Sequence, residues 1–207
     1  MKTMVIGDIH GRVEIVEKAL ATEYPLIFVG DYLDSWNRSV VDQIKSLELV
    51  LDAIKNNRAV GILGNHEMSY LNRSCRCSGF SNATSIHIMS MDLKPLVDYV
   101  YCEGFLISHA GVSQLMLDYN KITLEQYLKD KKFEDVGYSR GGWSPIGGLR
   151  WCDWSEFKPI ESQPQIVGHT IQRSIQQKDN SYCIDVLESS SNNVLLIENG
   201  SVEIIEL

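Results

Sequence analysis

The segment MVIGDIHG, residues 4–11, decides how the chain is read. Three apolar residues, Met4–Ile6, run straight into a Gly-Asp-x-His-Gly turn. A short apolar run bounded in this way reads as a buried strand. The flanking glycines allow a tight backbone, and Asp8 and His10, two residues apart, can point the same way. The same grammar returns four times. Leu26–Val29 opens into GDYLD (residues 30–34), Ala59–Leu63 into GNHE (64–67), Phe105–Ile107 into SHAG (108–111), and Gln165–Val167 into GHT (168–170). Of five histidines, four (His10, His66, His109, His169) directly follow an expected strand, and only His87 does not. Open α/β sheets place their chemistry at such strand ends.

Between the early runs lie helical patterns. Val13, Val16 and Leu20 share one face. Val40, Ile44, Leu47, Leu51 and Ile54 step by four and three, with Gln43, Lys45, Glu48, Asp52 and Lys55 on the opposite face. The first half therefore reads β-α-β-α-β. Later, Thr123 and Gln126 form a capping box before a helix from Leu124 to about Lys131. Tyr182–Val186, Val194–Ile197 and Val202–Ile205 read as strands, the last two joined in a hairpin at Gly200. The expected fold is α/β: two packed sheets with helices outside, in one domain spanning 1–207.

Bulk properties narrow the function. Apolar residues make up 44% and charged residues 22% of 207 positions, a globular composition. The net charge of -8 argues against a broad nucleic-acid surface. No apolar run approaches the roughly 20 residues of a membrane helix, and the first run stops at Asp8, too early for a secretory signal. A cytoplasmic location is expected. The five cysteines (75, 77, 102, 152, 183) are odd in number and irregular in spacing, which fits free thiols. Cys75 and Cys77 lack the second pair of a structural zinc site.

Imidazole and carboxylate are the common ligands of manganese, iron and zinc. Asp8, His10, Asp31, Asn65, His109 and His169 form the candidate ligand set, with Asp31 placed to bridge two ions. Two divalent ions would outweigh Asp8 and Asp31 by two charges and attract a phosphate dianion. Ions about 3.5–4 Å apart can hold a bridging hydroxide as nucleophile and neutralise charge on the phosphoryl oxygens. An acid must then protonate the leaving oxygen; His66, paired with Asp34, is the candidate.

GDIHG, GDYLD, GNHE, SHAG and GHT, in this order, resemble the calcineurin-like metallophosphoesterases. The nearest likeness is to the phosphoprotein phosphatase group, including bacteriophage-type serine/threonine phosphatases and diadenosine tetraphosphatases. The resemblance spans Gly7 to Thr170. It implies a two-sheet sandwich flanked by helices in four layers, αββα. It implies a first metal on Asp8 and His10, a bridging Asp31, and a second metal on Asn65, His109 and His169. His66 would be the general acid, Asp34 its partner and Glu67 a support. Manganese is the first choice of metal, with iron and zinc compatible.

The group's GDxxDRG motif carries a phosphate-gripping arginine, but here Asp34 is followed by Ser35 and Trp36. Its loss matters because a bidentate guanidinium binds phosphate strongly. Arg150 is the first candidate to replace it and Arg140 the second, both in the stretch YSRGGWSPIGGLRWCDW (138–154). Arg38 is nearby in sequence, and Asn65 doubles as a phosphate contact. Trp143, Trp151 and Trp154 are read first as anchors of a long loop and second as a nucleobase shelf. Arg73 is assigned to bracing its loop, and Lys129, Lys131 and Lys132 to a solvated helix end. The first function expected is serine/threonine-type protein phosphatase. The second is dinucleoside polyphosphate hydrolase, and a non-catalytic scaffold of the same fold is the alternative of another class. Phosphoprotein or nucleotide is the expected substrate, with no stable nucleic-acid or membrane partner. Oligomeric state is left open.

Overall fold

Sandwich pleats explain the apolar runs. In Met4-Val5-Ile6, Met4 and Ile6 pack with helix residues Val16 and Leu47, while Val5 faces the opposite way into a cluster with Ile107 and Ile166. Every residue of this strand is buried because both its faces are covered. The computed structural model describes residues 2–72, 77–189 and 191–207.

One sheet contains β1 (Thr3–Ile6), β2 (Leu26–Phe28), β3 (Ala59–Gly61), β9 (Asn193–Glu198) and β10 (Ser201–Glu206), in the order β10-β9-β1-β2-β3. The second contains β4 (Tyr99–Cys102), β5 (Phe105–Ser108), β6 (Gln165–Val167), β7 (Gln176–Lys178) and β8 (Ser181–Cys183), in the order β4-β5-β6-β8-β7. Val5, Ile27, Val29, Ile62, Phe105, Ile107, Ile166 and Leu195 fill the space between the sheets. Helices α1 (Val13–Leu20) and α2 (Val40–Lys55) cover the outer face of the first sheet. Residues from α5 (Gln114–Asn120) and α6 (Leu124–Asp130) build a separate apolar cluster with Val112, Phe133 and Leu149. The layers are those expected, and so are the capping box at Thr123–Gln126 and the β9–β10 hairpin.

Three parallel strands in each sheet position the site. β1, β2 and β3 run parallel in one, and β5, β6 and β8 in the other. The five motif loops all leave the C-terminal ends of these strands. The short helices α3 (Asn65–Leu71) and α4 (Asn82–Ile88), and strands β4 and β7, were not anticipated. Gln43 also departs from expectation. It belongs to the polar side of α2 in sequence, yet it is buried. Its Oε1 accepts from the Asp34 amide at 2.7 Å, and its Nε2 donates to Arg38 O. Burial follows because the backbone of the Asp34 loop needs a partner away from water. No helix among the described residues is long and apolar enough to cross a membrane.

Candidate metal centre and active-site cavity

Four of the singled-out residues take a left-handed backbone: His10 (φ 43°), Asp31 (φ 49°), Asp34 (φ 61°) and His169 (φ 69°). Asp and His tolerate this region better than most side chains, but it still carries strain. Neighbouring loops hold them there. Ile9 and His10 amides both donate to Asp31 O, at 3.0 and 2.8 Å, and Gly168 N donates to His109 O at 2.7 Å. Glu67 ties the second and third loops together. Its carboxylate accepts from the amides of Asp31 (3.0 Å), Tyr32 (2.8 Å), Leu33 (3.2 Å) and Gly64 (3.2 Å). This is the supporting role expected for it.

Two motif glycines are explained by close approach. A Cβ on Gly64 would stand 2.1 Å from Asp31 Oδ1, and one on Gly168 would stand 1.9 Å from Asp8 Oδ1. A side chain at either place would push a candidate ligand out of position.

His10 Nδ1 lies 2.6 Å from Leu33 O, and His109 Nδ1 lies 2.9 Å from Val29 O. A carbonyl accepts only, so each Nδ1 carries a proton, and in the neutral ring that a metal ligand needs each Nε2 presents its lone pair. His109 Nε2 faces Asn65 Oδ1 at 2.7 Å and Asp31 Oδ2 at 3.2 Å. His169 Nδ1 faces Asn65 Oδ1 at 2.9 Å and His109 Nε2 at 3.2 Å. Asn65 Nδ2 donates to Cys77 Sγ, which leaves its Oδ1 turned toward the histidines. Asn65, Asp31 and His109 thus bring acceptor atoms to one point, as a divalent cation requires. Ligand atoms of Asp31, His109 and His169 lie within 4.8 Å of one another, as do those of His10, Asp31 and His66. Asp31 belongs to both groups, which suits a bridging ligand. Asp8 stands outside both; its two oxygens accept from the His169 amide at 3.2 and 2.9 Å.

His66 Nδ1 lies 3.0 Å from Asp34 Oδ2, and its Nε2 lies 3.9 Å from Asp31 Oδ2. Burial opposes its protonation, but Asp31 and then Asp34 outweigh burial and raise the imidazole to about 9. Asp34 is itself pinned by a short hydrogen bond from Tyr70 OH, and Tyr70 stacks on Phe80. Burial likewise disfavours charge on Asp31, but His109, His66 and His10 outweigh it and hold the carboxyl well below the usual range. Burial, and then His109, push His169 toward the neutral form that a metal ligand needs.

The cluster opens into a cavity of about 980 Å³. Its lining includes His10, Asp31, Asp34, Asn65, His66, Arg140 and His169, together with Trp36 and Trp143. Trp36 is 76% exposed and Trp143 94%.

Arg150 does not join the site. It is 4% exposed and is absent from the cavity lining. Its Nε donates to Leu63 O, and its guanidinium makes close ion pairs with Asp98 and Glu134. The first choice for the phosphate clamp is therefore corrected: a guanidinium engaged on three sides is a strut. Arg38 pairs with Glu14 and also lies outside the lining. Arg140, the second choice, lines the cavity and pairs with Asp153 at 2.9 Å. The tryptophans divide. Trp151 and Trp154 are buried, with Trp154 stacked on Phe157, as loop anchors should be; Trp143 is not buried.

Sequence reasoning missed Cys77, Tyr70 and Asp185. Cys77 Sγ donates to Asn65 O at 3.0 Å and lines the cavity. Asp185 lines it as well. Asp185 sits in the run CIDV directly after a parallel strand, the same grammar as VIGD, and that signal could have found it. Arg73 and Cys75 lie outside the described residues.

Comparison with known proteins agrees with this geometry. The calcineurin-like phosphoesterase family matches residues 1–188. A bis(5'-nucleosyl)-tetraphosphatase (PrpE, asymmetrical) of Oceanobacillus iheyensis is 24% identical over 83% of this chain and 82% of its own length. Among solved structures, the cold-active protein-tyrosine phosphatase of a psychrophilic Shewanella species superposes with a TM-score of 0.62, at 14% identity over 99% of this chain and 80% of that one. A protein serine/threonine phosphatase from Saccharomyces cerevisiae with similarity to human phosphatase PP5 gives 0.59, at 14% identity over 100% and 80%. At such identities these two speak to the fold alone. With a family match over nearly the whole chain, and with the family's motif residues gathered at one edge of its sandwich, the chain belongs to the calcineurin-like phosphoesterases and is a hydrolase.

Proposed function

We propose that the chain hydrolyses phosphate esters by direct attack of water, with His66 as general acid, and that its substrate is a phosphoserine or phosphothreonine protein. The observation that carries this reading is the His66–Asp34 pair, 3.0 Å apart, beside two overlapping groups of metal-ligand atoms. Asp8, His10 and Asp31 would hold one divalent ion, and Asp31, Asn65, His109 and His169 the other. Such a pair of ions, manganese by first choice, supplies a nucleophile derived from water at neutral pH and offsets phosphoryl charge.

The chain's own residues do the rest. The leaving oxygen must gain a proton as its bond to phosphorus breaks. His66 holds that proton on Nε2, because Nδ1 is engaged by Asp34. Tyr70 and Gln43 keep the Asp34 loop in place, so the imidazole meets the substrate in one orientation. Arg140 reaches the phosphate from the wall, where it replaces the arginine absent after Asp34, and Asn65 supplies a further contact.

A second reading, a dinucleoside polyphosphate as substrate, is favoured by Trp36 and Trp143. Two exposed indoles on the lining of the metal cavity offer faces on which bases can stack. The tetraphosphatase relative supports the same reading. kcat/KM on a phosphoserine peptide and on diadenosine tetraphosphate, measured side by side with manganese-reloaded protein, separates the two. The peptide should be preferred; a wide preference for the dinucleotide inverts the assignment.

A further inference from the structure

Asp185 is a buried carboxylate that the assignments above leave unused. It follows β8 by two residues, the offset by which Asp8 follows β1 and His169 follows β6. Its position is firmly built. Ile184 N donates to Val167 O at 2.8 Å, and Gln172 N donates to Asp185 O at 2.7 Å. Gly7, next to Asp8, packs so tightly on this turn that a Cβ there would lie 2.2 Å from Ile184 O. The Asp185 side chain is 1% exposed and lines the cavity with His10, Asp31 and His169. Among the described residues, neither of its oxygens has a hydrogen-bond partner. Among the described residues no cation pairs with it: Arg12 faces Glu188 at 3.7 Å, and Arg140 is held by Asp153. Among the described residues, Asp8, beside it in the fold, accepts only from the His169 amide. Two adjacent buried carboxylates with no cation in direct contact are costly to keep charged.

We propose that Asp185 is a further carboxylate of the first metal site, on the side of Asp8 and His10. This rests on the two-ion reading above and deepens it. The first ion then has three carboxylates (Asp8, Asp31, Asp185) and one imidazole, whereas the second has two imidazoles and the Asn65 amide with shared Asp31. Oxygen-rich sites suit hard ions such as Mn²⁺, and imidazole-rich sites suit zinc or iron. The two positions therefore differ in metal preference, and Asp185 sets much of that difference.

Asp185→Asn and Asp185→Ala test it, each stripped of metal and titrated with Mn²⁺ by calorimetry, with thermal melts recorded before and after loading. The first-site Mn²⁺ affinity should fall by at least about 10–100-fold, the loss caused by removing even an outer partner of a ligand, with the second site nearly unchanged. The metal-free variants should melt at or above the wild-type temperature, because a buried carboxyl without a hydrogen-bond partner is gone. Their gain in melting temperature on loading should shrink. Unchanged Mn²⁺ affinity at both sites overturns the proposal. So does a lower metal-free melting temperature with unchanged affinity, which marks a structural residue. If the wild-type chain itself takes up fewer than two ions, the two-ion reading fails and this inference fails with it; two ions in wild type with indifferent variants sinks the Asp185 role alone.

Discussion

At the floor of the cavity His10, Asp31 and His169, with His109 beneath them, are buried and held by the backbone of neighbouring loops, whereas on its lining Trp36 and Trp143 stand largely in solvent. The floor is built from strand ends that the sandwich must bring together, and moving one ligand disturbs several loops. The indoles sit on connecting segments, which a fold can exchange without loss of its core. The arginines draw the same line. Arg150 is a strut engaged by Leu63, Asp98 and Glu134, while Arg140 lines the cavity with one carboxylate partner. Chemistry should therefore depend on the floor and substrate choice on the exposed wall.

The largest effect short of metal loss should come from His66→Asn, with turnover falling about 10²–10⁴-fold while metal content stays nearly intact. Loss of metal in that variant would make His66 a ligand, a role its place beside His10 and Asp31 would allow. The pH profile sharpens the same point. His66 works protonated, and without metal Asp31 and then Asp34 raise it to about 9. With Asp31 engaged by the ions, Asp34 is the support that remains, so activity should be present at lower pH and fall as pH rises through the His66 titration, below the metal-free value. Asp34→Asn removes one support, so the alkaline limb of kcat/KM should move to lower pH. A limb that does not move belongs to another group.

The two arginines should fail differently. Arg140→Ala should cost about 10–100-fold in kcat/KM, the worth of a charged hydrogen bond to phosphate. Arg150→Ala should instead lower stability by about 2–4 kcal/mol, less than for a fully buried pair because Asp98 and Glu134 keep some water. Urea melts beside kinetics on the folded fraction distinguish them, and the reverse pattern would restore Arg150 as the clamp. The smallest effect belongs to Trp143→Ala. It should leave a small aryl phosphate untouched and weaken a dinucleotide by about 0.5–1.5 kcal/mol if a base stacks there. Equal losses on both substrates would place Trp143 in the chemistry and erase the distinction between floor and wall.

How far the sequence could be read follows the same division. The two-sheet architecture, the two long helices and every strand carrying a motif were legible, because burial on two faces forces continuous apolar runs and Gly-Asp and Gly-His turns end them. Short elements such as α3 and α4 were not, since a seven-residue helix has too few turns to show a period. In the site, Asp8, His10, Asp31, His66, His109 and His169 announced themselves by position after a strand. Asp185 obeyed the same rule but hid inside an apolar run that read as a longer strand. Gln43, Tyr70 and Cys77 act through contacts with Asp34 and Asn65 that lie 9 to 36 residues away in sequence. Nothing local distinguishes Arg140 from Arg150, because their roles depend on which carboxylates the fold brings to each.

The central claim is a two-ion centre bridged by Asp31, and a metal count tests it most directly. Elemental analysis of wild-type protein and Asp31→Asn, each loaded with manganese and dialysed, should give two ions per chain in wild type and a loss at both positions in the variant. Two tightly held ions in Asp31→Asn would contradict the account.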